Sequence, residues 1–132
     1  MRARIDGPHG PFTVDNIHLT APVAGGLVSS WESQLAELQA VDTSGAAILA
    51  GDFNATMDHS QFRDLVERGW TDAHEPKGCG FDATWPTGRA TPTLLRLDHV
   101  LVTERFEVLA VEIGPGDGSD HRSVTATVRL RN

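Results

Sequence analysis

Ala46-Ala47-Ile48-Leu49-Ala50-Gly51-Asp52-Phe53-Asn54 is the stretch on which the reading of this chain turns. An unbroken apolar run of strand length reaches a glycine and then presents two polar side chains, Asp52 and Asn54, two positions apart. On an extended backbone residues at that spacing share a face. A buried strand that ends in a carboxylate and a carboxamide is one way an α/β protein aims polar groups at a ligand. Turn chemistry explains the same two residues, because Asp and Asn are also common where a chain reverses.

Upstream, Gly7-Pro8-His9-Gly10-Pro11 reads as a turn between two extended pieces, of which Arg2 to Ile5 is the first. Phe12, Val14, Ile17 and Leu19 alternate loosely in the second, a strand with His18 at its exit before the breaker Pro22. A lone histidine there is equally a half-buried ring bonded to backbone. Ser29 and Glu32 have the spacing of a capping box, so a helix is predicted to start there. Trp31, Leu35 and Leu38 form its apolar face. A strand, a helix and the Ala46–Asn54 strand in succession predict a crossover between parallel neighbours.

Downstream, Asp58 and Gln61 repeat the capping-box spacing, and Phe62, Leu65 and Val66 give a short second helix ending at Gly69. Capping accounts for Asp58, and a first-turn surface position accounts for His59. Trp70 to Arg96 reads as a long irregular loop rich in Gly, Pro and Thr. Loops of that length tend to be functional. Its aromatic and basic residues, Arg89 and Arg96 among them, could touch a substrate, although Trp70 and Trp85 serve equally to pin the loop to the body. Leu97 to Val102 and Phe106 to Ile113 read as strands, Gly114 to Ser119 as a glycine-rich turn, and Val124 to Leu130 as a half-buried terminal strand.

A length of 132 residues suits one domain with a real core, here taken as residues 1–132. Eighteen acidic against eleven basic residues give a formal net charge of −7, which repels nucleic acid in bulk, so a phosphate substrate needs a bound metal or a few placed cations. The single cysteine, Cys79, excludes an internal disulfide and a thiolate zinc cluster. No apolar leader and no run of roughly 18 apolar residues is present, so the chain reads as soluble, and as cytoplasmic by default. His9, His59, His74 and His99 lack the spacing of a zinc site.

Strand ends thus carry His18, Asp52, Asn54, Asp98, Asp120 and His121. Carboxylates, one carboxamide and two imidazoles suit a site that binds a hard divalent cation and attacks a phosphate ester with water. The water needs a carboxylate to orient it, and an imidazole needs a carboxylate behind it to fix its tautomer.

Four segments carry a resemblance: Asn16-Ile17-His18-Leu19, Gly51-Asp52-Phe53-Asn54, Arg96-Leu97-Asp98-His99-Val100 and Gly118-Ser119-Asp120-His121-Arg122. In this order they resemble the endonuclease/exonuclease/phosphatase family, which includes deoxyribonuclease-like nucleases, abasic-site endonucleases, inositol-polyphosphate phosphatases and neutral sphingomyelinases. The Phe53–His59 segment and Thr84-Trp85-Pro86 are similar to a branch of small bacterial members. The resemblance implies an α/β fold of the α+β sandwich type: part of a four-layer β-sandwich flanked by helices. It also implies a Mg²⁺-dependent phosphoesterase, with Mn²⁺ as an alternative ion, acting on a phosphodiester or phosphomonoester of nucleic acid, lipid or small-molecule type. Asp52 would orient the attacking water, and Asn54 would help hold it and the phosphate. His121, paired with Asp98, would stabilise phosphoryl charge, Asp120 would be a metal ligand, and His18 would contact the scissile phosphate. Family members also carry an upstream half-domain with an asparagine and a glutamate that is the principal metal ligand, and neither matches here. The expectation is therefore a C-terminal portion whose inner face needs an upstream half or self-association. The competing expectation is a noncatalytic remnant or interaction module of the same fold.

Overall fold

The computed structural model describes residues 1–75, 82–88 and 90–131, so Cys79 and Arg89 lie outside the described residues. The elements follow in the order β1 (Arg2–Gly7), β2 (Gly10–His18), α1 (Gly25–Gln39), β3 (Ala47–Asp52), α2 (Ser60–Val66), β4 (Trp70–Asp72), β5 (Asp98–Thr103), β6 (Phe106–Ile113) and β7 (Val124–Leu130). Five strands form one sheet in the order β1-β2-β3-β5-β4, and β6 pairs with β7 in a separate two-stranded sheet. β2 and β3 are parallel, as the helix between them requires, and the other pairs are antiparallel.

Alternation along the central strands sorts the core into two layers. Leu49 and Leu101, both fully buried, point to the helices and pack with Trp31 and Leu35 of α1 and Phe62 and Leu65 of α2. Ile48, Val100 and Val102 point the other way, against Phe106, Val108, Val128 and Leu130 of the β6–β7 hairpin. Burying each such aliphatic side chain stabilises by roughly 1.5–3 kcal/mol, which is why the apolar run of β3 lies at the centre of the sheet. Helices, five-stranded sheet and hairpin are successive layers of the α/β sandwich expected from the sequence.

The helix starts differ from expectation. α1 begins at Gly25 with Ala24 at its N-cap and no side-chain cap. Ser29 therefore lies inside the helix, where its carbonyl accepts a hydrogen bond from Ser33 Oγ at 2.9 Å. The Ser29–Glu32 spacing therefore caps nothing, since α1 is already under way at Gly25. α2 has His59, not Asp58, at its N-cap, again without a side-chain cap. Asp58 is not a cap because the chain turns one residue later. The Thr56 N–H donates to His59 Nδ1 at 3.0 Å, and Asp58 is exposed. The stretch read as a loop from Trp70 opens with β4, three residues too short for a pattern and held as a strand by pairing with β5.

Candidate active site

Strand register builds the site. β2 and β3 pair His18 with Asp52, and β3 and β5 pair Asp52 with Asp98, so three residues distant in sequence form one row across the sheet. The row can form because Gly51 lets the two strands close: a Cβ at Gly51 would stand 2.0 Å from the Ile17 carbonyl oxygen, and its φ of +142° is unfavourable for a side chain. His18 is the outlying member, with Nε2 4.0 Å from Asp52 Oδ2 and a side chain 83% exposed. His121, from the connection between β6 and β7, completes the group with Nδ1 2.8 Å from Asp98 Oδ2. A carboxylate only accepts, so Nδ1 carries a proton and donates it to Asp98.

Asp52 is held from below by its own turn. Its Oδ1 accepts the Asn54 backbone N–H at 2.8 Å and its Oδ2 the Asn54 amide at 3.1 Å. The Asn54 amide also donates to the Leu19 carbonyl at 2.8 Å, and Asn54 adopts a positive φ of 46° that Asn tolerates better than most residues. Turn and site are thus the same structure, and the two readings of Asp52-Phe53-Asn54 do not exclude each other. Burial pushes the Asp52 carboxyl above its ordinary range, with Asp98 adding to the rise, while the Asn54 backbone hydrogen bond and the two nearby histidines oppose it.

Ligand atoms of Asp52, Asp98 and His121 all lie within 4.8 Å of one another, the one such group among the described residues. Two carboxylates facing each other across a strand pair repel, and a cation between them would relieve that repulsion, so the donor set fits a divalent metal. Asp120 is not a member of this group. It is exposed, accepts a hydrogen bond from Trp85 Nε1 at 3.3 Å, and uses its main-chain carbonyl to accept from the Thr87 N–H at 2.8 Å. Thr84 Oγ1 in turn accepts the backbone N–H groups of Leu97 and Asp98 at 3.0 and 3.3 Å, so the Thr84-Trp85-Pro86 segment braces both Asp98 and the segment that bears His121.

His18, Asp52, Asn54 and His121 open on one pocket of about 450 Å³. Two of its residues carried a structural reading in the sequence. Trp85 does pin its loop but also lines the pocket, its ring centroid 6.5 Å from that of His121. His59, read as a surface residue, packs edge-on against Trp31 at 5.2 Å and reaches the same pocket. Position in the sequence alone could not show either. Trp70, by contrast, is buried in the core as a pin.

A second Asp–His group lies wholly inside the molecule. His99 Nδ1 is 2.7 Å from Asp72 Oδ2, and His74 Nδ1 is 3.1 Å from Asp72 Oδ1. His99 Nε2 lies 3.0 Å from the Ala55 carbonyl. Burial alone would push the Asp72 carboxyl up, but hydrogen bonds from His74 and His99 outweigh it and leave the carboxyl well below its ordinary range.

A sequence model of the endonuclease/exonuclease/phosphatase family matches residues 2–121, and the chain belongs to that family. Among solved structures it is similar to an endonuclease/exonuclease/phosphatase protein from Beutenbergia cavernae, at 25% identity and a TM-score of 0.76 over 98% of this chain and 39% of that one. The 3′ phosphatase NExo from Neisseria, solved with a product DNA hairpin, aligns at 17% identity and a TM-score of 0.73 over 96% of this chain and 64% of its own. An AP endonuclease from Archaeoglobus fulgidus aligns at 17% identity and a TM-score of 0.69 over 90% and 62%. The chain thus spans less than two thirds of the length of each of these structures. A comparison with curated proteins finds no match. Among the described residues no helix is long and apolar enough to cross a membrane.

Proposed function

We propose that this chain carries the catalytic row of a divalent-cation-dependent phosphoesterase, hydrolysing a phosphodiester or phosphomonoester by in-line attack of water. The observation that carries the reading is the convergence of His18, Asp52 and Asp98 in one strand register, with His121 hydrogen-bonded to Asp98 at 2.8 Å. Membership of a family named for nucleases and phosphatases supports it.

Asp52 takes the proton of the attacking water. Its position above the ordinary carboxylate range suits a base, because proton transfer is most efficient when the catalytic pKa approaches the working pH. Both Asn54 amide hydrogens are committed to Asp52 and Leu19, so Asn54 fixes the carboxylate and offers its carbonyl oxygen to the water. The water oxygen bonds to phosphorus as the ester P–O bond breaks, and the leaving alkoxide takes a proton. Asp98 holds the His121 ring so that Nε2, once protonated, hydrogen-bonds a phosphoryl oxygen or supplies that proton. His18, exposed beside Asp52, contacts the phosphate from the open side.

Asp52 and Asp98 would hold the cation, with Asp120 as a further ligand from the segment of His121, and Mg²⁺ is the proposed ion with Mn²⁺ as an alternative. Bound there, a divalent ion supplies Lewis-acid polarisation of the phosphoryl oxygens and neutralises developing charge.

The alternative reading is a noncatalytic binding module of the same fold, in which the row holds a cation without turnover. Calorimetric Mg²⁺ and Mn²⁺ titration together with turnover of bis(4-nitrophenyl) phosphate separates the two. Metal-stimulated release of nitrophenol that Asp52→Asn abolishes is the expected result. Metal binding without release supports the module, and neither binding nor release at millimolar metal overturns the enzyme reading.

A further inference from the structure

Part of the pocket beside the proposed catalytic row is apolar. Pro22, Val23, Trp85, Leu95 and Leu97 line it, supplied by the segment after β2 and by the residues that precede β5. Val23 is 80% exposed and Leu95 41%, and their chain neighbours Leu27 and Leu94 are 44% and 52% exposed. Single exposed apolar residues need no explanation, but here the two approaches to one polar site both carry them. Neither Lys nor Arg is found among the described residues that line the pocket, and the whole chain carries a formal net charge of −7. A polyanionic strand is held by cations spaced along its backbone, which this wall does not offer. The volume of about 450 Å³ lies within the roughly 300–1,000 Å³ range of small-molecule sites.

We infer that the preferred substrate is a phosphoester with one phosphate group and an apolar, uncharged organic group, which lies against Val23, Trp85 and Leu95 while the phosphate meets the Asp52–Asp98–His121 row. This rests on the phosphoesterase reading and names the substrate class of that site. The apolar group could belong to a free small ester or to a phospholipid presented by a bilayer, since both offer the same chemistry to this wall.

The test uses two diesters with the same leaving group, octyl 4-nitrophenyl phosphate and thymidine 5′-(4-nitrophenyl) phosphate, with the metal-loaded chain. The expected kcat/KM favours the octyl ester by about 10-fold or more, the scale set by a few methylenes entering an apolar pocket. Val23→Ser and Leu95→Ser each narrow that ratio several-fold. Leu109→Ser, an equally exposed leucine on β6 away from the pocket, leaves it unchanged. A ratio at or below one, or a ratio untouched by both pocket variants, overturns the inference while leaving the phosphoesterase reading intact. Turnover of the soluble octyl ester identifies a free ester as sufficient. Turnover restricted to a long-chain analogue in phosphatidylcholine vesicles identifies a bilayer source. Where no ester is hydrolysed, tryptophan fluorescence on titration with octyl phosphonate and with thymidine phosphonate decides: tighter binding of the octyl compound, weakened by Val23→Ser, supports the inference, and equal binding overturns it.

Discussion

Two Asp–His pairs of nearly the same length sit in this molecule with opposite surroundings. Asp98 and His121 meet at 2.8 Å with side chains 17% and 24% exposed, while Asp72 and His99 meet at 2.7 Å with none. They are also neighbours in structure. β5 places Asp98 beside Asp52 on one face of the sheet and turns His99, the next residue, into the helix layer, where it packs on Phe53 and Phe62. The open pair leaves one imidazole nitrogen uncommitted and a pocket beside it. The closed pair spends both His99 nitrogens, one on Asp72 and one on the Ala55 carbonyl. Hydrogen-bond length does not separate the pair that the proposed function uses from the one it does not, whereas access to solvent does.

The difference can be broken most forcefully at the closed pair. Asp72→Ala leaves two buried imidazoles without their acceptor, and losing one partner of a buried charged pair costs about 3–5 kcal/mol, a large part of an ordinary domain's stability. Urea unfolding should show the loss as a lower midpoint. At the open pair, His121→Ala should act the other way round: turnover falls about 10²–10⁴-fold while the unfolding free energy from urea stays within about 1 kcal/mol of the parent. Equal stability losses from the two substitutions would erase the distinction.

Gly51 lies where the two groups adjoin, paired with His99 while Asp52 pairs with Asp98. Gly51→Ala must push β2 from β3, because the new Cβ meets backbone, and should cost about 1–3 kcal/mol together with most of the activity. Retained activity would mean that the row tolerates a shift its register does not suggest.

The smallest effects sharpen the comparison through pH. Asp72 titrates lower in the folded chain than in the unfolded one, so its contribution is present above the ordinary value of 3.8 and is lost as the pH falls below it. Asp52 titrates higher when folded, so its contribution is present below 3.8 and is lost as the pH rises through its folded value. Asp52→Asn should therefore raise Tm slightly at neutral pH, whereas Asp72→Asn should flatten the acid limb of the stability profile. Thermal scans between pH 3 and 8 would read both slopes, and slopes of the same sign would contradict the contrast in burial.

Much of this was legible in the chain, though unevenly. The apolar run of β3, the Trp31–Leu35–Leu38 face of α1 and the parallel pairing across it follow from periodicity and connection length, which local physics controls. The caps at Ser29 and Asp58 were misleading because three-residue spacings of polar residues recur by chance on exposed helix faces. β4 and its Asp72 left no pattern to read, since three residues become a strand only when β5 is there to pair with them.

By itself the sequence determined which residue types were on offer and in what order: acids, a carboxamide and imidazoles at the ends of strands, within a family whose words they share. Only the tertiary structure decided which of them meet. Strand register aligned His18, Asp52 and Asp98, the β6–β7 connection brought in His121, and alternation sent His99 to the opposite face of the strand from Asp98. The reason is the two-residue period of an extended chain: a single step along β5 separates solvent and chemistry from the core, and which step faces which side is set by the packing of the whole sheet.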